Sequence, residues 1–174
     1  MKKQVNIWLM IGAPGSGKST AAKTIFVPTD STYISRDAIR FAKLQPEEQY
    51  FAHEDEVFDE FISDIQDAID NEEYCIIADA THMTQKARLM VLSRLVLPTK
   101  DYIEYRINAV VIETPLDVCV HRNAQRTGRA YVPPAAIKHI YNSYEDPVND
   151  QFKFNYILYY DQNFNCTRVE YRKE

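Results

Sequence analysis

The chain holds 4 glycines and 3 cysteines in 174 residues, and it has no apolar run approaching the length of a membrane span. Cys75, Cys119 and Cys166 are too few and too far apart for a disulfide framework or a cysteine-rich metal site. Cys75 and Cys119 lie in apolar surroundings, which predicts buried thiols in a reducing, cytoplasmic compartment. Basic residues are missing from one region. Between Leu44 and Gln85 stand thirteen Asp/Glu and no Lys/Arg, leaving 12 of the 25 acids to face all 20 bases elsewhere. The net charge of −5 therefore combines one acidic segment with a remainder of +8, and an anionic partner stays open. The opening "MKKQVNIWLMIGA" superficially mimics a secretory leader. Asn6 interrupts its apolar run, and cleavage after Ala13 would cut the loop described next, so no leader is expected.

The scarcity of glycine makes its placement informative. Three of the four, Gly12, Gly15 and Gly17, fall inside "IGAPGSGKST", residues 11–20. The spacing Gly12-x4-Gly17-Lys18-Ser19 is that of a phosphate-binding loop. "VNIWLMI" before it reads as a buried strand, and "KSTAAKTIF" after it as a helix stopped by Pro28. In that context Gly12, Ala13, Pro14, Gly15, Ser16, Gly17, Lys18, Ser19 and Thr20 are predicted to form a binding loop whose N–H groups, Pro14 having none, converge on a phosphate at a helix N-terminus.

Strands and helices are expected to alternate downstream. "STYIS" (31–35) reads as a strand, and "RDAIRFAKL" begins a helix. Pro46 is read as opening a long helix, with Glu47 and Glu48 at its positive end and Phe51, Phe58, Ile62, Ile65 and Ile69 as its apolar stripe. "YCIIADA" (74–80) is a strand ending in Asp79, and 84–97 reads as helix up to Pro98. A strand is expected within 103–114, with Thr114 as N-cap and Pro115 as first residue of the next helix. Another helix follows Pro133 and Pro134. Closing strands at 154–160 and 167–171 flank a turn at "DQNFN". The aromatics of "FKFNYILYY" alternate as core residues do, a reading preferred to a base-stacking platform. The pattern implies one domain over 1–174, a doubly wound and mainly parallel α/β sheet flanked by helices, with ligands at the carboxyl ends of the strands.

Three further junctions carry polar groups. Asp37 ends the second strand, where a carboxylate serves either to orient an acceptor hydroxyl or to favour a helix start. Arg40 lies on the same helical side, as a phosphate contact or a solvated charge. Asp79 makes a Walker-B-like strand end, able to hold Mg²⁺ through water or to face an acceptor. Arg122, Arg126 and Arg129 are spaced i, i+4, i+7 around Gly128. They are read as a lid bringing guanidinium groups onto a polyphosphate, or else as a solvated helix end.

The order "GAPGSGKST … SRDAIR … IADATHMTQKAR … HRNAQRTGRAYVP" resembles the 5′-hydroxyl polynucleotide kinase domain of phage type and its zeta-toxin-like P-loop relatives, over residues 5 to 160. The resemblance implies a P-loop kinase fold with an arginine-bearing lid, using ATP and Mg²⁺. Lys18 and Ser19 would then bind donor phosphates and the metal, and Asp37 would be the general base. Arg40 would contact an acceptor phosphate, Asp79 would sit in the acceptor site with Arg122 nearby, and Arg126 would clamp the donor phosphates. Arg88 matches an arginine of that family without an assigned role. The chain departs from the family at His82, where asparagine is expected, and in a lid one residue longer, which sets Arg126 and Arg129 in competition for the γ-phosphate. No phosphatase-like segment follows. The implied acceptor is a nucleic-acid 5′-hydroxyl end. The alternatives are a nucleoside, sugar or nucleotide-sugar, and a regulatory ATPase without an acceptor, against which Asp37 with Arg40 argues.

Overall fold

The computed structural model describes residues 2–26 and 31–172. Its centre is β1 (Lys3–Ile11), whose side chains are buried alternately on the two faces. Val5, Ile7, Leu9 and Ile11 face one core, while Met10 faces the other. A strand covered on both sides must be apolar nearly throughout, and that requirement explains the continuous run before the glycines. β3 (Cys75–Asp79) and β4 (Ile103–Glu113) pair with β1 in parallel. β2 (Ser31–Ser35) lies outside β3, and β5 (Tyr156–Asp161) outside β4, both also parallel. β6 (Cys166–Tyr171) returns antiparallel on β5, giving the order β2-β3-β1-β4-β5-β6. The expected mainly parallel sheet is present.

Helices cover both faces. α1 (Lys18–Ile25) lays Ala21 and Ala22 on one core. α2 (Arg36–Lys43) and α3 (Glu54–Asp70) pack with α4 (Gln85–Leu92), α5 (Leu116–Ala124) and α6 (Pro134–Asn142) on the other side. The α3 stripe is Val57, Phe61, Ile62, Ile65, Ala68 and Ile69. Burial of such side chains stabilises by about 1.5–3 kcal/mol each. Cys75 and Cys119 are buried free thiols and Cys166 is exposed. Among the described residues, no helix is long and apolar enough to cross a membrane.

The structure corrects four boundaries. The long helix starts at Glu54, not Pro46, and residues 46–53 form turns. The Glu48 carboxylate accepts from the Gln45 N–H (2.8 Å) and meets the His53 ring (2.9 Å), so it folds the segment locally and does not lead a helix. Phe51 accordingly leaves the stripe and is 69% exposed. α4 ends at Leu92, because the Gln66 amide holds the Val96 N–H (2.8 Å) and C=O (3.0 Å) and draws the chain out extended. Pro115, not Thr114, occupies the N-cap of α5, and the Thr114 hydroxyl serves the phosphate loop. α5 stops at Ala124, so Arg126 lies past its end and Arg129 sits in the 3-10 turn Gly128–Ala130. The closing hairpin and the burial of Phe154, Ile157 and Tyr159 follow the sequence, although Tyr156 is 38% exposed.

Candidate active site

The phosphate loop is held by its neighbours. Gly15 has φ +82°, and a side chain there would meet the Cys119 carbonyl oxygen at 2.3 Å, so only glycine fits. Gly17, at φ +91°, is the N-cap of α1 and hands the chain to the helix from the left-handed region. The Ser16 carbonyl accepts from Thr114 Oγ1 (2.8 Å) and Arg122 Nη1 (3.1 Å). Arg122 Nη2 also reaches the Gln162 carbonyl (3.3 Å), bracing the loop against the β5–β6 turn. A methyl group on Gly17 would sit 3.3 Å from Arg122 Nη1 and 3.6 Å from the Phe164 ring.

One cavity of about 560 Å³ opens at the carboxyl ends of β2 and β3. Pro14, Lys18 and Ser19 line it from the loop, and Asp37, Arg40 and Asp79 line it opposite. Arg126 and Arg129 line it from the segment that follows α5. The fold thus brings together most of the predicted polar residues. Gly12, Ala13, Gly15, Ser16, Gly17 and Thr20 lie outside the lining, and Arg122 sits behind Gly17.

Ser35 caps α2 by accepting from the Ala38 N–H (3.2 Å), which places Asp37 in the first helical turn with its carboxylate exposed. Asp37 Oδ1 accepts from Arg40 Nη1 and from the Tyr50 hydroxyl (2.7 Å). Arg40 is 5% exposed. Its guanidinium also bonds Glu54 Oε2 (2.8 Å) and lies 4.3 Å from the centre of the Tyr50 ring. Arg40 is therefore not the solvated charge of the bland reading, and two carboxylates balance it. Burial, with Asp37 nearby, pushes the Tyr50 hydroxyl above its usual range.

Asp79 is 3% exposed. Its Oδ2 accepts from the Tyr33 hydroxyl, and Oδ1 has no partner among the described residues. Burial and the Asp79 carboxylate push Tyr33 up to about 12, and the Ser19 hydroxyl is in hydrogen-bond reach of the same phenol. His82 turns away from the cavity, at φ +45°, with Nδ1 2.9 Å from the Met10 carbonyl. That acceptor assigns the proton to Nδ1. Burial drives the ring down to about 4, so it is neutral. Arg88 receives a role that the sequence left blank. It is fully buried, pairs with Asp150, and donates to the His82 (2.8 Å), Met83 (3.2 Å) and Glu145 (3.0 Å) carbonyls.

In the lid, Arg129 Nη1 donates to the Leu44 (3.0 Å) and Gln45 (3.3 Å) carbonyls at the end of α2. Arg126 is exposed and faces the cavity. Sequence reasoning missed Tyr33, Tyr50, Glu54 and Phe164. Only Glu54 had any signal, as one of three acids in the first turn of α3.

A phosphate loop, a carboxylate across a cavity and guanidinium groups at its rim are an arrangement able to hold a phosphoryl donor and an acceptor oxygen face to face. The family model described as "AAA domain" matches residues 7–147. The chain belongs to that family. No curated protein matches this AAA domain chain in sequence at a significant level. Its fold is similar to a chain of the Pnkp1/Rnl/Hen1 RNA repair complex (TM-score 0.63, 21% identity), covering 80% of this chain and 43% of that one. It is similar to a fungal RNA kinase (TM-score 0.61, 16% identity, 91% and 75% covered). A sugar kinase from Janibacter sp. also shares it (TM-score 0.57, 14% identity, 94% and 87% covered). The AAA domain fold here is that of P-loop kinases, as its sequence resemblance implied.

Proposed function

We propose that residues 1–174 act as a single ATP-dependent, Mg²⁺-requiring kinase domain in the cytoplasm, moving the γ-phosphoryl group to the 5′-hydroxyl end of a polynucleotide. The observation that carries this reading is the shared cavity, with Lys18 and Ser19 on one wall and Asp37 on the other. Loop N–H groups and the Lys18 ammonium hold the donor phosphates. Asp37 takes the acceptor proton as the new O–P bond forms, the β–γ bridging bond breaks and ADP leaves. Arg126 meets the charge spread over the transferred group. Arg40 fixes Asp37 and stands beside the incoming strand, and Arg122 braces the loop by donating to the Ser16 carbonyl.

The residues present fit Mg²⁺. Asp79 Oδ1 is a buried oxygen without a partner, the Ser19 hydroxyl is nearby, and both are hard donors. Mg²⁺ at such a site would be held by these few oxygens together with phosphates and water. When bound, Mg²⁺ neutralises phosphate charge.

The basic remainder of +8 and the exposed rings of Phe51 and Tyr131 at the cavity support a polynucleotide end, since both phosphates and a terminal base gain contacts. A cavity of about 560 Å³ also suits a nucleoside or sugar, which is the second reading. The test is label transfer from γ-labelled ATP to a panel of 5′-hydroxyl oligonucleotides, nucleosides and sugars. Labelled oligonucleotides are expected. Label on a sugar or nucleoside alone establishes the second reading, and release of phosphate alone establishes an acceptor-free ATPase. Lys18→Ala should lower transfer by about 10²–10³ in a folded protein.

A further inference from the structure

The turn segment that replaces the expected helix before Glu54 delivers one side chain to the acceptor side of the cavity. We propose that Tyr50 is the positioning residue of Asp37, fixing which carboxylate oxygen faces the acceptor hydroxyl. The inference rests on reading Asp37 as the base. Tyr50 donates to Asp37 Oδ1 (2.7 Å) and accepts from Arg40 Nη1 (2.7 Å). Its ring is itself held, with the Arg40 guanidinium 4.3 Å from its centre and the Phe51 ring edge-on at 4.7 Å. The hydroxyl is therefore a fixed donor on a packed ring.

Asp37 needs such a donor. It projects from the first turn of α2 with its side chain 56% exposed, and the terminal torsion of an aspartate is broad. Left alone, the carboxylate would rotate freely in the cavity. Tyr50 and Arg40 both meet Oδ1, and Oδ2 accepts no hydrogen bond among the described residues. Two donors on one oxygen set the plane of the group and leave the other oxygen to receive the proton. Arg40 cannot do this by itself, because its guanidinium is shared with Glu54. In the reaction the acceptor O–H proton passes to Oδ2 as the acceptor oxygen bonds the γ-phosphorus. The pair from the broken β–γ bridge leaves on ADP.

The charged groups beside Asp37 are Arg36 and Arg40 on its own helix and, through both, Glu54 of α3. Across the cavity stand Lys18, Asp79, Arg126 and Arg129. All of them persist in Tyr50→Phe, which removes only the O–H and keeps the ring. This variant should lower kcat about ten- to a hundredfold with KM for ATP unchanged. A general loosening of the fold would instead raise KM for ATP or lower stability in this variant. Tyr50→Leu should show the same loss of kcat together with lower stability. Wild-type kcat in folded Tyr50→Phe overturns the proposal, as does a loss that falls on KM for ATP and not on kcat, or impairment confined to Tyr50→Leu. Asp37→Asn, measured alongside, separates the two levels. Its inactivity beside a normal Tyr50→Phe overturns only the role of Tyr50. Full turnover in Asp37→Asn overturns the base reading and this proposal with it.

Discussion

Arg88 and Asp150 meet side by side in the interior, Nε to Oδ2 and Nη2 to Oδ1, each at 2.6 Å. Arg88 is fully buried and Asp150 is 3% exposed, and the remaining guanidinium N–H groups end on the His82, Met83 and Glu145 carbonyls. The pair ties the loop after β3 to the segment between α6 and β5. Asp150→Ala leaves a buried cation without its counter-charge, so it should cost about 3–5 kcal/mol of stability. Chemical denaturation checks this. A loss below about 1 kcal/mol would mean that water replaces the carboxylate.

The two lid arginines separate by what they already hold. Arg129 is engaged on the Leu44 and Gln45 carbonyls, whereas Arg126 makes no side-chain hydrogen bond among the described residues and lines the cavity. Arg126→Ala should lower kcat by about 10³ or more, as loss of an arginine on a transferring phosphate does. Arg126→Lys should rescue poorly, since a point charge cannot reproduce the guanidinium fork. Arg129→Ala should instead loosen the lid and weaken ATP binding about tenfold, near 1.4 kcal/mol. Steady-state kcat and KM of the three variants decide it, and a reversed order assigns the clamp to Arg129.

The acceptor reading has a salt signature. A single strand held through several phosphates should bind with log K falling linearly in log[salt], by about 0.7 per phosphate contact. A neutral small acceptor gives almost no slope. Acceptor affinity measured across salt concentrations therefore separates the two, and a flat response with a good sugar or nucleoside acceptor rejects the polynucleotide.

His82 makes stability depend on pH. Its folded value, about 4, lies below the ordinary 6.5 because burial disfavours the charged ring. The unfolded chain then binds the extra proton first as pH falls. The associated stability is complete above about 6.5 and is lost as pH drops through about 4, a total of about 3 kcal/mol. His82→Asn removes the titration at a positive φ that asparagine tolerates. Its unfolding free energy should fall less between pH 7 and pH 4.5. Parallel curves for the two proteins would assign the acid sensitivity to other groups.

What could be read directly from the residues was whatever local chemistry dictates. The run before Gly12 was legible as a buried strand from its length and the glycines that bound it, while its central place in the sheet came from the structure. Gly15 and Gly17 had to be glycine, because the loop uses positive φ there. Asp79 was legible as a strand-end carboxylate, because open parallel sheets place ligands at that edge. Asp37, read as the end of the second strand, lies past Ser35 in the first turn of α2.

Helix ends and side-chain partners were not legible, since they are settled by groups distant in sequence. Gln66 ends α4 from 30 residues away by taking both backbone groups of Val96. Arg129 reaches carbonyls 85 and 84 residues upstream. The i, i+4, i+7 spacing of the lid arginines suggested one rigid helical face, but α5 ends at Ala124 and sends Arg122, Arg126 and Arg129 to three different duties.

The sequence by itself determined that this chain builds a phosphate loop between a buried strand and a helix in a mainly parallel sheet, because backbone conformation and apolar periodicity are local properties. The tertiary structure alone decided that Tyr50 and Arg40 share one oxygen of Asp37, that Tyr33 occupies Asp79, and that Arg122 braces the loop from behind. A hydrogen bond needs its partners within about 3 Å. Chain positions separated by tens of residues reach that distance only when the core has packed.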